Sequence, residues 1–205
     1  TGNVPYLDFM TPGILAQSVL FVAIFYGINI IWERDLGIVH KFLASPAPRA
    51  ALVLGKALSA GVRALSQAFI IYLLAWLLGV GLNWDPAALA GMLVVVVLAA
   101  ALFSTFSLII ACIVKTRDRF MGIGQVLTMP LFFASNASYP LSLMPVWLVG
   151  VSKVNPLTYQ VDALRHLMIV GGGTTLGIGL DFGIMILALA LMVGIATRLY
   201  PTIIT

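Results

Sequence analysis

Residues 32–56 read WERDLGIVHKFLASPAPRAALVLGK and separate two apolar runs that are each long enough to cross a bilayer. Mixed charges lie near the start of this stretch, at Glu33, Arg34 and Asp35. Four residues then recur at the spacing of one helical face: Leu36, Val39, His40 and Leu43. The segment 45–48, Ser-Pro-Ala-Pro, ends the pattern because proline lacks a backbone donor and clashes with the preceding turn. The sequence therefore predicts a short amphipathic helix in a charged loop, where a partner in the water phase can dock.

Composition indicates that lipid is the solvent of this chain. Hydrophobic residues make up 61% of its 205 residues and charged residues only 9%, with a mean hydropathy of +1.10. Soluble domains carry about a quarter charged residues. We predict a single all-α domain over residues 1–205, a polytopic transmembrane helix bundle. Its spans are expected at about 12–32, 57–80, 87–114, 120–137 and 176–199.

Prolines mark two positions within these predicted spans. Pro12 suits the first turn of a helix, because its missing N–H would have no partner there. Pro130 predicts a kink in the fourth span.

Residues 138–173 lack the pattern of a simple crossing. Prolines interrupt the region, and its apolar pieces are only about ten residues long. Segments of that length suit re-entrant or interfacial half-helices. Three aromatic residues form either part of an outer gate or a belt that anchors the half-helices: Tyr139, Trp147 and Tyr159.

Lysine and arginine are distributed unevenly between the two faces of this topology. Only Lys153 and Arg165 fall on the face that carries the half-helices. The face of the 33–56 loop carries Arg34, Lys41, Arg49, Lys56, Lys115, Arg117, Arg119 and Arg198. Arg63 joins them if its side chain extends to the headgroups on that face. Positively charged loops stay in the cytoplasm, so this face is expected to be cytoplasmic in a multi-pass protein of the cell membrane. The C-terminus is then cytoplasmic and residue 1 lies outside, which predicts that another span precedes it.

The sequence contains no recognisable enzyme site. His40 and His166 fall on opposite predicted faces and cannot share a metal, and Cys112 is the single cysteine. Gly55-Lys56 lacks the surrounding residues of a phosphate-binding loop. No basic cluster with interleaved aromatics is present, which excludes nucleic acid as a partner. We therefore predict a non-enzymatic chain without a catalytic residue, metal or cofactor of its own, with membrane lipids as its surroundings.

Three polar residues within the predicted spans are candidates for a transport pathway: Arg63, Gln67 and Asp181. Asp181 is either an interfacial carboxylate near the outer end of the last span or a pathway residue. Arg63 either lines a pathway with Gln67, one turn away, or extends its side chain to the cytoplasmic headgroups.

Two separated motifs resemble one family of membrane proteins. The first cytoplasmic loop of ABC-2 type permeases resembles Trp32-Glu33-Arg34-Asp35-x-Gly37, Leu43-x-Ser45-Pro46-x-x-Arg49 and Gly55-Lys56. The extracellular half-helix region of the same family resembles Tyr139-Pro140-x-x-x-Met144-Pro145-x-Trp147-Leu148 and Asn155-Pro156-Leu157-Thr158-Tyr159-x-Val161-Asp162-Ala163-Leu164-Arg165. Within this family, the chain resembles the daunorubicin-resistance and nodulation-factor permeases. It departs from the family at Ile38, where a small hydroxyl residue is common.

The resemblance implies a transporter built from two permease copies, as a homodimer or with a close paralogue, and two ABC ATPase subunits that bind ATP and Mg²⁺. A coupling helix over residues 33–45 would dock the ATPase, with contacts from Glu33, Arg34, Asp35, Gly37, His40, Ser45, Pro46, Arg49 and Lys56. The half-helices would shape the outer exit through Tyr139, Pro140, Met144, Pro145, Trp147, Asn155, Pro156, Tyr159 and Arg165. The family also has an amphipathic interface helix and a first span ahead of the part that matches this chain, and both are expected to be missing here.

The expected function is that of a permease subunit in a multidrug-resistance-type exporter. It would move an amphipathic drug, natural product or lipid-linked compound across the cytoplasmic membrane. A polysaccharide or glycolipid exporter is one alternative. A secondary transporter without an ATPase is another, and it would require ionisable residues near mid-membrane. A membrane-embedded enzyme would require paired catalytic groups, which the sequence lacks.

Overall fold

Nine α-helices account for most of the residues that the computed structural model describes, which are 6–114, 116–137 and 144–203. They are α1 (Tyr6–Tyr26), α2 (Ile28–Asp35), α3 (Ile38–Ala44), α4 (Arg49–Leu77), α5 (Pro86–Val114), α6 (Arg117–Phe133), α7 (Val146–Val154), α8 (Pro156–Met168) and α9 (Ile178–Leu199). A 3₁₀ turn, Tyr200–Ile203, extends α9. These described ranges contain no strand beyond an isolated bridge between Leu82 and Ile169. The prediction of an all-α polytopic membrane bundle is confirmed.

Four described segments are long and apolar enough to cross a membrane: Tyr6–Asp35, Arg49–Leu77, Pro86–Val114 and Ile178–Ile203. They correspond to the spans predicted at 12–32, 57–80, 87–114 and 176–199. The predicted span at 120–137 corresponds to α6, which has 17 residues and ends at Phe133. A helix of this length reaches only about 25 Å, against about 30 Å of hydrocarbon. Membrane crossing by α6 therefore stays a prediction.

The first helix begins earlier than its proline indicated. Tyr6 is already helical, so Pro12 lies inside α1 and not in its first turn. Proline in a helix interior costs about 3 kcal/mol. The face of α1 that carries Leu15, Val19 and Ala23 is fully buried in the core and offsets this cost.

The second long helix also begins earlier than predicted, at Arg49 directly after Pro48. The following residues are rich in alanine, the strongest helix former, so the helix extends back to the proline. Gly55 and Lys56 therefore lie within α4 and not in the predicted 33–56 loop. Only residues 45–48 separate α3 from α4.

Two short helices lie in the described part of the predicted half-helix region, which is residues 144–173. α7 has 9 residues and α8 has 13. Pro156 is the first residue of α8, where its missing N–H leaves no carbonyl unpaired. The depth of these helices in the membrane stays a prediction. Tyr139 and Pro140 lie outside the described residues.

The bundle has two distinct ends. α5 forms its centre, and α1, α4, α8 and α9 pack around it. At one end, Asn83 N donates to Met168 O at 2.7 Å and Val170 N donates to Gly81 O at 2.9 Å. We call this the half-helix end, because it joins the α4–α5 turn to the segment that follows α8. At the other end, which we call the charged end, the end of α2 meets α3, α4 and the start of α6.

Candidate functional site

The charged end is organised around the last turn of α2. Glu33 forms an ion pair with Lys56 of α4, and their side chains are only 26% and 18% exposed. Asp35 Oδ1 accepts a hydrogen bond from Arg34 Nη2 at 2.8 Å, and Asp35 Oδ2 accepts one from Arg117 Nη2 at 2.7 Å. Since Arg117 is the first residue of α6, charged groups connect α2 to two other helices.

Arg117 makes a second contact at the same place. Its guanidinium carbon lies 3.4 Å from the centroid of the Trp32 ring. A planar guanidinium can stack on an aromatic ring and donate to a carboxylate at the same time. This role was not predicted from the sequence, where Arg117 contributed only to the expected orientation of the chain. The available signal was an arginine directly after a span, predicted on the same face as Asp35.

Gly37 separates α2 from α3 in a left-handed conformation, with φ of +72°. A Cβ at this position would meet no neighbouring atom within 4 Å. Glycine is therefore favoured there for its backbone freedom and not for its small size. The predicted 33–45 helix is therefore wrong as one unit. Residues 33–35 end α2, in line with the membrane span, and α3 begins after the turn at Ile38.

One side of α3 packs on the bundle and the other faces outward. Val39 is fully buried and Leu43 is half-buried. Leu36, predicted to share this buried face, is 70% exposed because it precedes the turn at Gly37 and does not belong to α3. The exposed residues form what we call the α3 surface: His40, Lys41, Phe42 and Ala44.

The turn after α3 extends this exposed surface. Ser45 Oγ donates to the Phe42 carbonyl at 2.7 Å and closes the last turn of the helix. Pro46 and Arg49 are exposed beside it. The structure thus brings the predicted docking residues to one end of the bundle, although they belong to three helices and the two turns between them.

A cavity of about 310 Å³ lies beside the Glu33–Lys56 pair. Tyr26 and Ser59 contribute to its wall and hydrogen-bond to each other at 2.9 Å between their hydroxyl oxygens. Tyr200 also lines the cavity. Its side chain is fully buried, and its hydroxyl has no hydrogen-bond partner among the described residues. Tyr200 was not predicted as a site residue, because it follows the last span as an ordinary interfacial tyrosine would.

Asn155 connects three helices at the half-helix end. Its Oδ1 accepts from Leu157 N at 3.0 Å and thereby caps α8. Its Nδ2 donates to the Leu131 carbonyl of α6 at 2.6 Å. This carbonyl lies in the last turn of α6, where carbonyls lack a partner within the helix.

Other predicted half-helix residues are also fixed by contacts. Tyr159 Oη donates to the Lys153 carbonyl at 2.5 Å. Arg165 donates to the Asn136 carbonyl at 3.0 Å and lies over the Phe9 ring at 4.1 Å. Burial lowers the pKa of the Arg165 guanidinium, and the Asp162 carboxylate opposes this shift.

The remaining residues predicted for this end differ in exposure. Met144 is nearly buried, whereas Trp147 is 69% exposed. Pro145 precedes α7 with an extended backbone. Asp162, which the sequence analysis did not single out as a site residue, accepts hydrogen bonds from the backbone N–H groups of Thr175 and Leu176 and so fixes the approach to α9.

The three pathway candidates do not form one cluster. Arg63 is exposed, with its guanidinium carbon 5.0 Å from the centroid of the Tyr26 ring, and Gln67 is half-buried one turn further along α4. Asp181 lies in the first turn of α9, toward the half-helix end. Its side chain is fully buried, and neither carboxylate oxygen has a hydrogen-bond partner among the described residues.

The two histidines lie at opposite ends of the bundle. His40 belongs to the α3 surface, and His166 Nδ1 lies 3.1 Å from the Gly172 carbonyl at the half-helix end. Within the described ranges, no group of three or more His, Cys, Asp or Glu residues is placed to hold a metal ion.

Comparison with known proteins identifies similar sequences. The family described as ABC-2 type transporter matches residues 1–169. A protein named as a transport permease, ycf38, of Cyanophora paradoxa is 30% identical over 163 residues, which are 79% of this chain and 56% of that protein. The daunorubicin resistance ABC transporter permease protein DrrB1 of Streptomyces coeruleorubidus is 23% identical over 163 residues, or 80% of this chain and 58% of that protein. Nodulation protein J of Sinorhizobium fredii is 25% identical over 200 residues, or 96% of this chain and 75% of that protein. The chain spans little more than half the length of several of these curated relatives.

Proposed function

Since this chain belongs to the ABC-2 type transporter family, we propose that it is the permease subunit of an ATP-driven exporter in a cell membrane. The observation that carries the proposal is the geometry of the charged end. A short helix with an exposed outer surface follows directly after a long helix that is apolar enough to cross the membrane. Such an arrangement can transmit a displacement of the short helix in the aqueous phase to the long helix in the membrane.

The α3 surface is the proposed seat of an ABC ATPase subunit. It combines a cation, a histidine and an exposed aromatic side chain: Lys41, His40 and Phe42. Partly apolar patches with aromatic residues are typical of protein contacts. α3 contacts α2, and its buried Val39 belongs to the same hydrophobic cluster as Val53 of α4, so a displacement of α3 would shift α2 and disturb this shared cluster.

The Glu33–Lys56 pair supports this transmission. It connects the end of α2 to α4 across the turn that follows α3. Both side chains are more than two-thirds buried, which makes separation of the charges unfavourable. We propose that the pair keeps the helices of this end together when the ATPase moves.

The proposal includes the cellular arrangement. The charged end faces the cytoplasm, where ATP and Mg²⁺ bind to the ATPase, and the half-helix end faces outside. Two permease copies and two ATPase subunits form the transporter. The uneven placement of Lys and Arg along the sequence supports this orientation.

We further propose an amphipathic drug, natural product or lipid-linked compound as the substrate, with a polysaccharide or glycolipid as the second candidate. An apolar groove of about 700 Å³ runs between α6 and the α7–α8 junction, lined by Leu127, Leu131, Trp147, Val151 and Val154. Apolar walls of this kind suit the hydrocarbon part of such a compound. The name of the Streptomyces relative, which refers to daunorubicin resistance, supports the first candidate.

Asp181 favours a second candidate function, a secondary transporter. Its buried carboxylate has no hydrogen-bond partner within the described ranges. Ionisable groups inside a membrane are costly and often mark paths for ions or protons. The substitution Asp181→Asn decides between the two functions. An ATP-driven exporter should keep its transport rate within about twofold, whereas an ion-coupled transporter should lose most of its rate.

The experiment that tests the proposed function uses the native protein in proteoliposomes with its ATPase subunit. Lys41→Glu and Phe42→Ala on the α3 surface should abolish binding of the ATPase and ATP-dependent transport. Lys153→Glu is the matched control, since it changes an exposed lysine at the half-helix end. Transport that needs no ATPase, or that both α3 variants leave intact, would overturn the proposal.

A further inference from the structure

We propose that Arg117 is a positioning residue that makes α6 move together with the end of α2, so that α6 carries the displacement of α3 to the half-helices. This inference rests on the proposed function, because it assigns a route to the movement that the ATPase causes. This connection is additional to the one expected from the sequence. The loop motif that resembles the permease family covers only residues 32–56 and does not include Arg117.

The contact between α2 and α6 is defined from two directions. The Arg117 guanidinium donates to Asp35 at 2.7 Å and covers the Trp32 ring at 3.4 Å, although it lies 82 residues away from Asp35 in the chain. An isolated exposed ion pair contributes little. Here the carboxylate is also held by Arg34 at 2.8 Å, and the indole fixes the plane of the guanidinium.

The packing of α6 explains why the contacts at its two ends can control its position. Its buried residues form a single stripe at four-residue spacing: Phe120, Gly124 and Thr128. Val126 is 71% exposed and Phe133 is 53% exposed on the remaining surface. Gly124 faces Ile24 of α1 and has no side chain, so no side chain of α6 interlocks with α1 at that point. A helix packed along a narrow stripe can shift along its neighbour more easily than a fully enclosed one.

The far end of α6 is connected to the half-helices. Asn155 Nδ2 donates to the Leu131 carbonyl at 2.6 Å, and Asn155 also caps α8. Arg165 of α8 donates to the carbonyl of Asn136, just beyond α6, at 3.0 Å. α6 therefore has directional polar contacts with α2 at one end and with the α7–α8 junction at the other.

These contacts define a continuous route through the molecule. A displacement of α3 moves α2, and the Arg117 contacts transfer the displacement to α6. The Asn155 contact then transfers it to the half-helices. Without Arg117, α3 would still bind the ATPase, but the half-helices would no longer follow its movement.

The test compares Arg117→Gln with Arg119→Gln in the native protein assembled with its ATPase. Arg119 lies two residues further on the same helix and is exposed, which makes it a matched loss of charge. Arg117→Gln should keep ATPase binding and basal ATP hydrolysis, while substrate transported per ATP falls about tenfold. Arg119→Gln should match the wild-type protein in all three measurements.

Replacing the contact between Asp35 and Arg117 with a covalent link tests whether Arg117 positions α6 relative to α2 or only stabilises the structure around it. Asp35→Cys and Arg117→Cys are combined in a Cys112→Ala background and joined with a short bifunctional thiol reagent. The joined protein should recover most of the coupling that the unjoined protein lacks. If joining leaves coupling low, or if Arg117→Gln transports like Arg119→Gln, the inference is overturned.

Failure of the inference differs from failure of the proposed function. If the wild-type protein shows no ATP-dependent transport, the proposed function fails. If the wild-type protein transports and Arg117→Gln loses ATPase binding itself, Arg117 belongs to the docking surface and the positioning role is refuted.

Discussion

Glu33 at the end of α2 and Lys56, two turns into α4, form an ion pair in which each side chain is less than 30% exposed. The pair connects two helices that are separated in the sequence only by α3 and the short turns on either side of it. Since the structure places no other charged partner on Lys56 among the described residues, the lysine depends on Glu33 for compensation.

Removal of one partner should therefore be more harmful than removal of both. Glu33→Ala is expected to lower the free energy of unfolding by about 1–3 kcal/mol, because Lys56 keeps its charge in a largely buried position. The double variant Glu33→Ala, Lys56→Met should recover at least half of this loss. Thermal unfolding in detergent measures both effects, with the exposed Asp118→Ala as the control. A double variant less stable than Glu33→Ala would contradict the expectation.

The turn at Gly37 should tolerate few residues. Gly37→Ala forces a side chain into φ of +72° and is expected to cost about 1 kcal/mol, while Gly37→Pro cannot adopt this φ at all and should displace α3. Gly55→Ala is the matched control: Gly55 is helical with open space around it, so alanine should be neutral or stabilising. Binding of the ATPase and thermal stability are measured for all three. Normal ATPase binding by Gly37→Pro would argue against α3 as the docking element.

Gly27 is required for a different reason, which is space. A Cβ at this position would overlap the Ser107 side chain of α5. Gly27→Ala is expected to destabilise the protein by about 1–3 kcal/mol through overpacking. Gly122→Ala, where no atom lies within 4 Å of the Cβ position, provides the control in the same thermal assay. If Gly27→Ala destabilises the protein no more than Gly122→Ala does, the close approach of Gly27 to α5 is not required for stability.

Asn155 performs two tasks that substitution can separate. Asn155→Asp keeps an acceptor for Leu157 N but loses the donor to the Leu131 carbonyl, whereas Asn155→Ala loses both contacts. We expect Asn155→Ala to cost about 1–2 kcal/mol of stability through loss of the cap, and Asn155→Asp to cost less. Both variants should reduce substrate transported per ATP. If Asn155→Asp couples as well as wild type, the contact to α6 is dispensable.

Membrane crossing by α6 can be tested with single cysteines in a Cys112→Ala background. Ala47→Cys reports on the turn between α3 and α4, and Val146→Cys, at a position that is 90% exposed, reports on the start of α7. If α4, α5 and α6 all cross, the two cysteines lie on opposite sides of the membrane and react with an impermeant thiol reagent from opposite sides. Reaction from the same side would show that α6 does not cross.

Local signals in the sequence predicted where the long helices lie more accurately than where helices begin and end. Apolar runs located four spans because lipid exposure requires continuous hydrophobic composition. The start of α1 and the start of α4 were placed too late. In α1, core packing offsets the cost of Pro12, and in α4 the alanine-rich residues after Pro48 continue the helix. The predicted 33–45 helix is divided at Gly37, which follows the C-cap Leu36 in a left-handed conformation and ends α2. Glycine at this place is a common helix-stop signal, which the prediction of one continuous helix did not use.

The sequence by itself determined that this chain is a helical membrane protein with a charged short helix at one end and two proline-bounded helices at the other. Composition, periodicity and proline position act over a few neighbouring residues, so they are readable without a structure. Only the tertiary structure decided that Arg117 lies between Trp32 and Asp35, that Asn155 reaches α6, and that Asp181 is buried with no hydrogen-bond partner in the part of the chain that the structure describes. These contacts join residues far apart in the chain, and the packing of α6 and α8 against the bundle sets their distances.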